Sequence, residues 1–496
     1  MKKLSILLLI GLSALSLNAQ NISDAVRYST QNIMGTARYR GVGGAFGALG
    51  GDLSALNNNP AGSAIFNTSH GSATLGMTTF DNQTYYNDGI TVTNDSDFDL
   101  SQAGIVYLVN ENNGDAGKIA IGFNYDKTAN YNDAFVASGM NNNSIDSYFL
   151  NYAQGTPLSL LQTQDRETID DLYQYLGEFE SFGAQQAFLG FQGYIIDPLT
   201  DSEDNTQYVS NIAPGSFDQE MNQITNGYSS KGTFNIAAQL SPKLYLGLNL
   251  NAHIIDYSKR TTFFEDNDNE GSQVTSLRFE NNLDVLGDGF SAQIGGIYQL
   301  APNFRIAGTY DTPTWYTISE ELTQGLATSG TNGNQSVFPD VVNVYQDYDL
   351  KTPGKITGSA SYIFRNLGFI SFDYSYQDFS TIEFRPKDDA YFQGVNADIA
   401  NTLKAVSTYK LGGEYKAQNW AFRAGYRFQE SPYKSEYAIG DSKGYSLGLG
   451  YTFGDSRIDV AYDRFSQQRN PSIYGNNFAF VDNIQSTVLL TYSLNL

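Results

Sequence analysis

The sequence predicts an all-β protein: a 14-stranded antiparallel transmembrane β-barrel plugged by an N-terminal hatch with short helices. Three observations carry that prediction. The first is a two-residue period, plainest in Asn419–Phe465. There Trp420, Phe422, Ala424, Tyr426 and Phe428 alternate with Ala421, Arg423, Gly425, Arg427 and Gln429, and Tyr445, Leu447, Leu449, Tyr451 and Phe453 alternate with Ser446, Gly448, Gly450 and Thr452. Such a period puts an apolar row on one face of a strand and a polar or small row on the other. The second is length: many such stretches run roughly nine to fifteen residues, whereas strands of soluble domains are mostly about five or six and a tilted membrane strand needs about nine to eleven. The third is composition. Beyond the first twenty residues no run of about eighteen apolar residues occurs, yet the chain holds 35 Tyr, 31 Phe and 48 Gly. A helical membrane protein is excluded. A barrel keeps a low mean hydropathy because alternate residues alone meet lipid. Period by itself also fits a water-soluble sandwich with the apolar row turned inward; strand length decides for the membrane.

Met1-Lys2-Lys3 is a basic head, Leu4–Leu17 an apolar core, and Leu17-Asn18-Ala19 a small-residue processing site. Residues 1–19 therefore read as a secretory signal peptide, cut after Ala19. Removing Lys2 and Lys3 moves the formal charge from -23 to -25, which argues against a nucleic-acid surface. With no cysteine there is no disulfide framework and no thiolate metal site.

Residues 20–68 do not alternate and read as the hatch. Ile22, Val26 and Ile33 have helical spacing, a glycine-dense run covers Gly41–Gly51, and Asp52 caps a short turn over Leu53–Leu56. Asn57-Asn58-Asn59-Pro60-Ala61-Gly62 follows, with the residue before proline restricted and the glycine free to bend. Interleaved Ala, Leu and Phe favour a packed plug over a flexible leader.

Residues 69–496 read as the barrel. Strand candidates are His70–Phe80, Asp99–Val109, Gly117–Thr128, Lys231–Leu240, Lys243–Tyr257, Gly289–Leu300, Asn303–Tyr316, Gly354–Phe364, Asn366–Phe384, Ala405–Lys416, Asn419–Gln429, Lys443–Phe453, Ser456–Phe465 and Ile484–Asn495. Gln273–Asn282 also alternates and reads as an extracellular prolongation into the strand from Gly289, while Gln186–Ile196 falls in the long insert; counting both is the sixteen-strand alternative. Short links such as Ser241-Pro242, Ala301-Pro302, Ala417-Gln418 and Gly454-Asp455 alternate with long ones such as Asp81–Phe98, Ser258–Asp288 and Thr317–Pro353, the asymmetry of periplasmic turns and external loops. The insert at residues 129–230 is too long for plain loop, and Leu158–Phe179 predicts a helix or two over the barrel mouth. Glu265, Asp266, Asp268 and Glu270 in the outer loops offer at most a weak Ca2+ site, a solvated surface being the plainer reading.

Catalytic signals are poor. Gly444-Tyr445-Ser446-Leu447-Gly448 has the letters of a nucleophile elbow but lies inside a strand, and His70 and His253, the two histidines, cannot build a multi-histidine metal site. No enzyme, resident cofactor or metal is expected, so function is passage or binding. Lys410, Arg423 and Arg427 fall on polar rows that a barrel turns into its lumen, where they are candidates to hold an anionic head group; mutual ion pairing with Glu414, Asp373, Asp459 and their like is the competing structural role.

Several motifs resemble the FadL/TodX (OmpP1) family of outer-membrane long-chain fatty acid and aromatic-hydrocarbon transporters, most nearly its Bacteroidetes branch labelled hemin receptor-like. In order they are Gly43-Gly44-Ala45-Phe46, Asp52-Leu53-Ser54-Ala55 and Asn58-Asn59-Pro60-Ala61-Gly62, then Thr352-Pro353-Gly354-Lys355-Ile356, Phe372–Ser380 and Asn419–Tyr426. The resemblance implies a barrel closed by an N-terminal hatch, with Asn57–Gly62 matching the hatch. Passive uptake would run through an external capture groove, a lumenal pocket and a hatch-gated lateral exit. The implied partners are a fatty acid, aromatic or detergent-like molecule and the lipid and LPS of the cell outer membrane, around a monomer. The insert and the ending Tyr492-Ser493-Leu494-Asn495-Leu496 depart from the family pattern. Two alternatives stay open: an accessory or shuttle barrel of type IX secretion binding protein clients, with a polar filled lumen, and a general porin with an open aqueous channel.

Overall fold

A computed structural model describes residues 21–109, 117–435, 438–474 and 477–496; the expected signal peptide and residues 110–116 lie outside the described residues. Fourteen antiparallel strands form the wall. In chain order they are β1 (His70–Tyr86), β2 (Gly89–Val109), β3 (Ile119–Asn130), β4 (Phe217–Ser241), β5 (Leu244–Asp266), β6 (Val274–Ala301) and β7 (Phe304–Asp311). Then come β8 (Lys355–Ile363), β9 (Gly368–Asp378), β10 (Ala405–Ala417), β11 (Trp420–Gln429), β12 (Ile439–Phe453), β13 (Ser456–Arg469) and β14 (Phe480–Asn495). Each pairs with its neighbours in sequence, and β14 pairs with β1 from His70↔Asn495 to Tyr85↔Phe480, which closes the ring. Closure leaves no strand edge to satisfy in lipid.

The alternation faces as predicted. On β5, Leu246, Leu248, Leu250 and Ile254 are 43, 40, 42 and 55% exposed, while Asn249, Asn251 and His253 between them are 0, 3 and 2% exposed. The same outward row continues through Ile294, Ile370, Leu411, Phe422, Leu447 and Leu490. An apolar band running around the whole ring far exceeds the few hundred Å² that soluble proteins expose; its solvent is the acyl region of a bilayer.

Several strands outrun their predicted spans. The link expected at Asp81–Phe98 is instead the tip of a hairpin, with Tyr86↔Gly89 as the last pair and Asn87 at φ 49° in the turn. The run Asn94-Asp95-Ser96-Asp97 hid this strand because its side chains are polar on both faces beyond the lipid band. Likewise β5 and β6 stay paired out to Asp266↔Ser276. The expected strand Asn303–Tyr316 divides: β7 ends at Asp311, and Trp315–Gly330 resumes along the outer half of β6. Pro313 between them has no N–H for the ladder. Asn366–Phe384 divides too, into β9, a 3-10 turn at Phe379–Thr381 and a short strand at Glu383–Arg385.

The insert carries α-helices at Asp146–Ala153, Ile169–Tyr175 and Phe182–Gln192. They close over Phe149, Leu172, Tyr173, Phe188 and Leu189, all buried, against Phe263 and Phe279 of the strand extensions. The cap is thus a small apolar core standing on the outer rim.

Candidate functional site

Residues 21–69 lie inside the ring. Helix α1 (Ile22–Ser29) begins at Asn21, whose side chain accepts from Ser23 N and Asp24 N, and packs among Tyr257, Tyr316, Tyr348 and Phe392 in the outer half of the lumen. Helix α2 (Ala37–Gly41) is capped by Thr36 and leads into the glycine run. Two 3-10 turns, Ser54–Asn57 and Pro60–Ile65, complete the segment.

A plug with so little regular helix leaves backbone groups to satisfy, and the inward polar rows of the wall satisfy them. Asn235 Nδ2 donates to Pro60 O at 3.0 Å, Asn249 Nδ2 to Leu56 O at 2.9 Å and Gln293 Nε2 to Asn57 O at 2.8 Å. Asp373 accepts from the N–H of Phe46 and of Gly47, both at 3.1 Å. Of the hatch residues singled out by sequence, Asn58 bridges Tyr39 Oη (2.7 Å), Gly44 O (2.7 Å) and Asp373 (3.1 Å). Asn59 caps the second turn through Ala61 N at 3.1 Å and donates to Gly47 O at 2.9 Å and Gly296 O at 3.1 Å. Pro60 and Ala61 rest on Gly247, where a Cβ would meet Pro60 C at 2.4 Å. Gly62 meets Gly50 so closely that a Cβ on it would lie 3.1 Å from Gly50 Cα.

Above this plug is a cavity of about 120 Å³ lined by Lys127, Lys231, Lys355, Lys410, Arg427 and Arg40, with Thr, Ser, Gln and Asn between them. Lys410 and Arg427 therefore share one chamber, as cross-strand neighbours. Arg427 is held bidentate by Asp463 at 2.6 and 2.8 Å, and Arg40 of α2 approaches the same carboxylate at 3.3 Å. Arg423 is not among the residues lining that chamber. It is fully buried behind α2, paired with Glu414 at 2.7 Å and Asp459 at 2.9 Å, while Arg38 and Arg457 reach Glu414 at 3.3 and 3.5 Å; its surroundings are those of a structural charge. Lys127, Lys231 and Lys355 were not singled out by sequence. Lys231 was legible in principle, being in phase with Thr233 and Asn235 on the inward row of its strand.

The wall beside the chamber is broken. The β2–β3 ladder ends at Gln102↔Asp126, immediately after Ser101 bulges out between Thr74↔Gln102 and Leu75↔Leu100. Above that point β3 stays with β4, while β2 continues to Gly89. Side chains span the parting: Lys127 Nζ pairs with Asp99, and with Asp97 at 3.4 Å, and Asn130 Nδ2 donates to Asp97 at 3.0 Å.

In the outer loops Glu265 turns inward, accepting from Ile145 N at 2.9 Å and Gln219 Nε2 at 2.7 Å. Among the described residues no three His, Cys, Asp or Glu side chains gather as metal ligands do.

Residues 205–486 match the family of outer membrane transport proteins described as OMPP1/FadL/TodX. The chain belongs to that family. None of the curated proteins matches it. Among solved structures it resembles a Pseudomonas aeruginosa FadL homologue at 12% identity and TM-score 0.51, covering 94% of this chain and 99% of that one. It resembles the Pseudomonas putida toluene transporter TodX at 12% identity and TM-score 0.51, covering 94% and 100%. These likenesses are of fold. As a member of the family, this protein is an outer-membrane barrel.

Proposed function

We propose that this FadL/TodX-family barrel takes up small hydrophobic molecules, fatty-acid-like or aromatic, passively across the outer membrane. The observation that carries the reading is the break between β2 and β3, which opens the chamber's flank where the wall is held by side chains alone. A ligand enters past the aromatic side chains around α1, its polar end meets Lys410 and Arg427, and its apolar body leaves sideways into the membrane. The plug, held by Asn57–Gly62, blocks straight passage and so disfavours an open porin. The expected likeness to a hemin receptor-like branch gains no support from the histidines: His70 bonds Asn495 at 2.9 Å and His253 bonds Ser291 at 2.8 Å.

One observation favours a second reading, a secretion accessory that binds protein clients: the lower lumen is polar and filled, and Phe179, Val342 and Val344 stand exposed outside. A cross-link across the break separates the two. In the D99C/K127C variant joined by a bis-maleimide, uptake of laurate and toluene falls to the level of cells lacking the barrel, and the unlinked variant still takes them up. Undiminished uptake in the cross-linked protein refutes the lateral route.

A further inference from the structure

The chamber holds more positive charge than a single head group uses. Each of its three inner lysines has a carboxylate directly across the ladder: Lys231 faces Asp126, Lys355 faces Asp311 and Lys410 faces Asp373. In two of these pairs the plug has taken the carboxylate. Asp373 is occupied by Phe46 N, Gly47 N and Asn58 Nδ2, and Asp126 by Ser54 Oγ at 3.3 Å together with Asn124. The third pair is loose, with Lys355 3.7 Å from Asp311. Lys231 is 5% exposed, and among the described residues no hydrogen bond or ion pair reaches its Nζ or that of Lys410. Lys410 also stands opposite Arg427, whose own charge is met by Asp463, so that side of the ladder brings Lys410 no carboxylate.

On the reading of the lumen as a passage, and extending it to a second class of guest, we propose that this chamber binds a compact dianion, a short dicarboxylate or a phosphate. Lys231 approaches from β4, Lys355 from β8 and Lys410 from β10, so the ammonium groups come from separate parts of the ring. One carboxylate serves one side of such a site; two acid groups, or a phosphate with its several acceptor oxygens, serve more. The cavity of about 120 Å³ is lined almost wholly by charged, hydroxyl and amide side chains, surroundings that suit a compact polar guest better than the body of an acyl chain. Its hydroxyl and amide lining supplies the remaining donors. The site also exists on a condition. While the plug is seated it holds Asp126 and Asp373 away from the lysines, and if the plug moves those carboxylates return to neutralise them. Dianion binding and plug seating therefore favour each other, and reciprocally so.

The test is calorimetry on the full-length barrel in detergent at low salt, with succinate and inorganic phosphate as probes and laurate and toluene as comparators. At least one dianion binds at one per barrel, raised salt weakens it, and K231Q/K410Q weakens it by about tenfold or more, as expected when charge-assisted bonds are lost. Amide exchange in residues 46–58 slows when the dianion is present. Heat-modifiable migration on gels confirms that the variant barrel is closed, and the single variant K410Q, expected to show an intermediate loss, stands in if the double variant fails to fold. Equal binding by wild type and variant overturns the proposal, and so does heat from laurate with none from either dianion. Hydrophobic uptake is scored separately with the D99C/K127C cross-link, so dianion binding without such uptake refutes the passage reading and leaves this site standing.

Discussion

Replacing Gly247 by alanine isolates what holds the plug. Gly247 faces inward from β5, laddered to Ala237 on one side and Gly295 on the other. An added Cβ would lie 2.4 Å from Pro60 C and 2.5 Å from Ala61 N. Both are backbone atoms, so no rotamer change relieves the contact. The wall is laddered on both sides and the 3-10 turn at Pro60–Ile65 is held by a handful of side-chain bonds; the plug is the part that yields. Inserting one methyl group into a packed site costs about 1–3 kcal/mol, which moves the seated-to-unseated equilibrium by roughly 5- to 150-fold. Amide exchange over Ser54–Ile65 reads that shift directly, and single-channel conductance reads its consequence as more frequent openings. Gly308 on β7, where a Cβ meets nothing within 4 Å, is the matched control. If G247A and G308A protect Ser54–Ile65 equally, the close approach of wall and plug does not set the seating energy and the reasoning fails.

Two further outcomes concern the outer cap. Phe188, fully buried among Phe149, Tyr173 and Leu189, loses about 3–5 kcal/mol of packing on truncation to alanine; protease cleavage after Arg166 speeds up while the barrel keeps its heat-modifiable migration. Burial pushes the Asp146 carboxyl of the insert above its ordinary value, against the opposing hydrogen bond from Ser210. A carboxyl raised in the folded state penalises folding once it ionises, so protection of the cap declines as pH rises from the ordinary carboxylate value through the raised one. D146N flattens that decline, as the pH dependence of limited proteolysis shows; an unchanged slope refutes the assignment.

How much of this was legible in the sequence follows from what each feature depends on. The ring was legible because a strand in lipid must show its solvent on every second residue, as Leu244–Ile254 does. The hairpin tip between β1 and β2 was not, because outside the lipid band nothing enforces alternation, and Asn94–Asp97 reads as loop. Pro313 and Pro353 announced interruptions but not that the chain would resume pairing beyond them. In the lumen, Lys410 and Arg427 could be named as inward-facing cations from their phase alone. Arg423 shares the inward row of β11 with Arg427, yet it is consumed by Glu414 and Asp459. That outcome depends on cross-strand register and on α2 packing against it, neither of which a single strand encodes. The charge of the chamber was hidden for the same reason: Lys231, Lys355 and Lys410 stand on β4, β8 and β10, far apart in sequence, and meet only when the ring closes.

The seam of that ring joins His70 to Asn495, the first strand to the last. A nascent chain has two raw edges until its final strand arrives, and no shorter version can be sealed. Residues 21–69 sit within the finished cylinder, touching β4–β6 on one side and β11–β14 on the other. The ladder that seals the ring also walls these residues in on every flank, so the seam is as much a wall of the plug's housing as it is the end of the sheet.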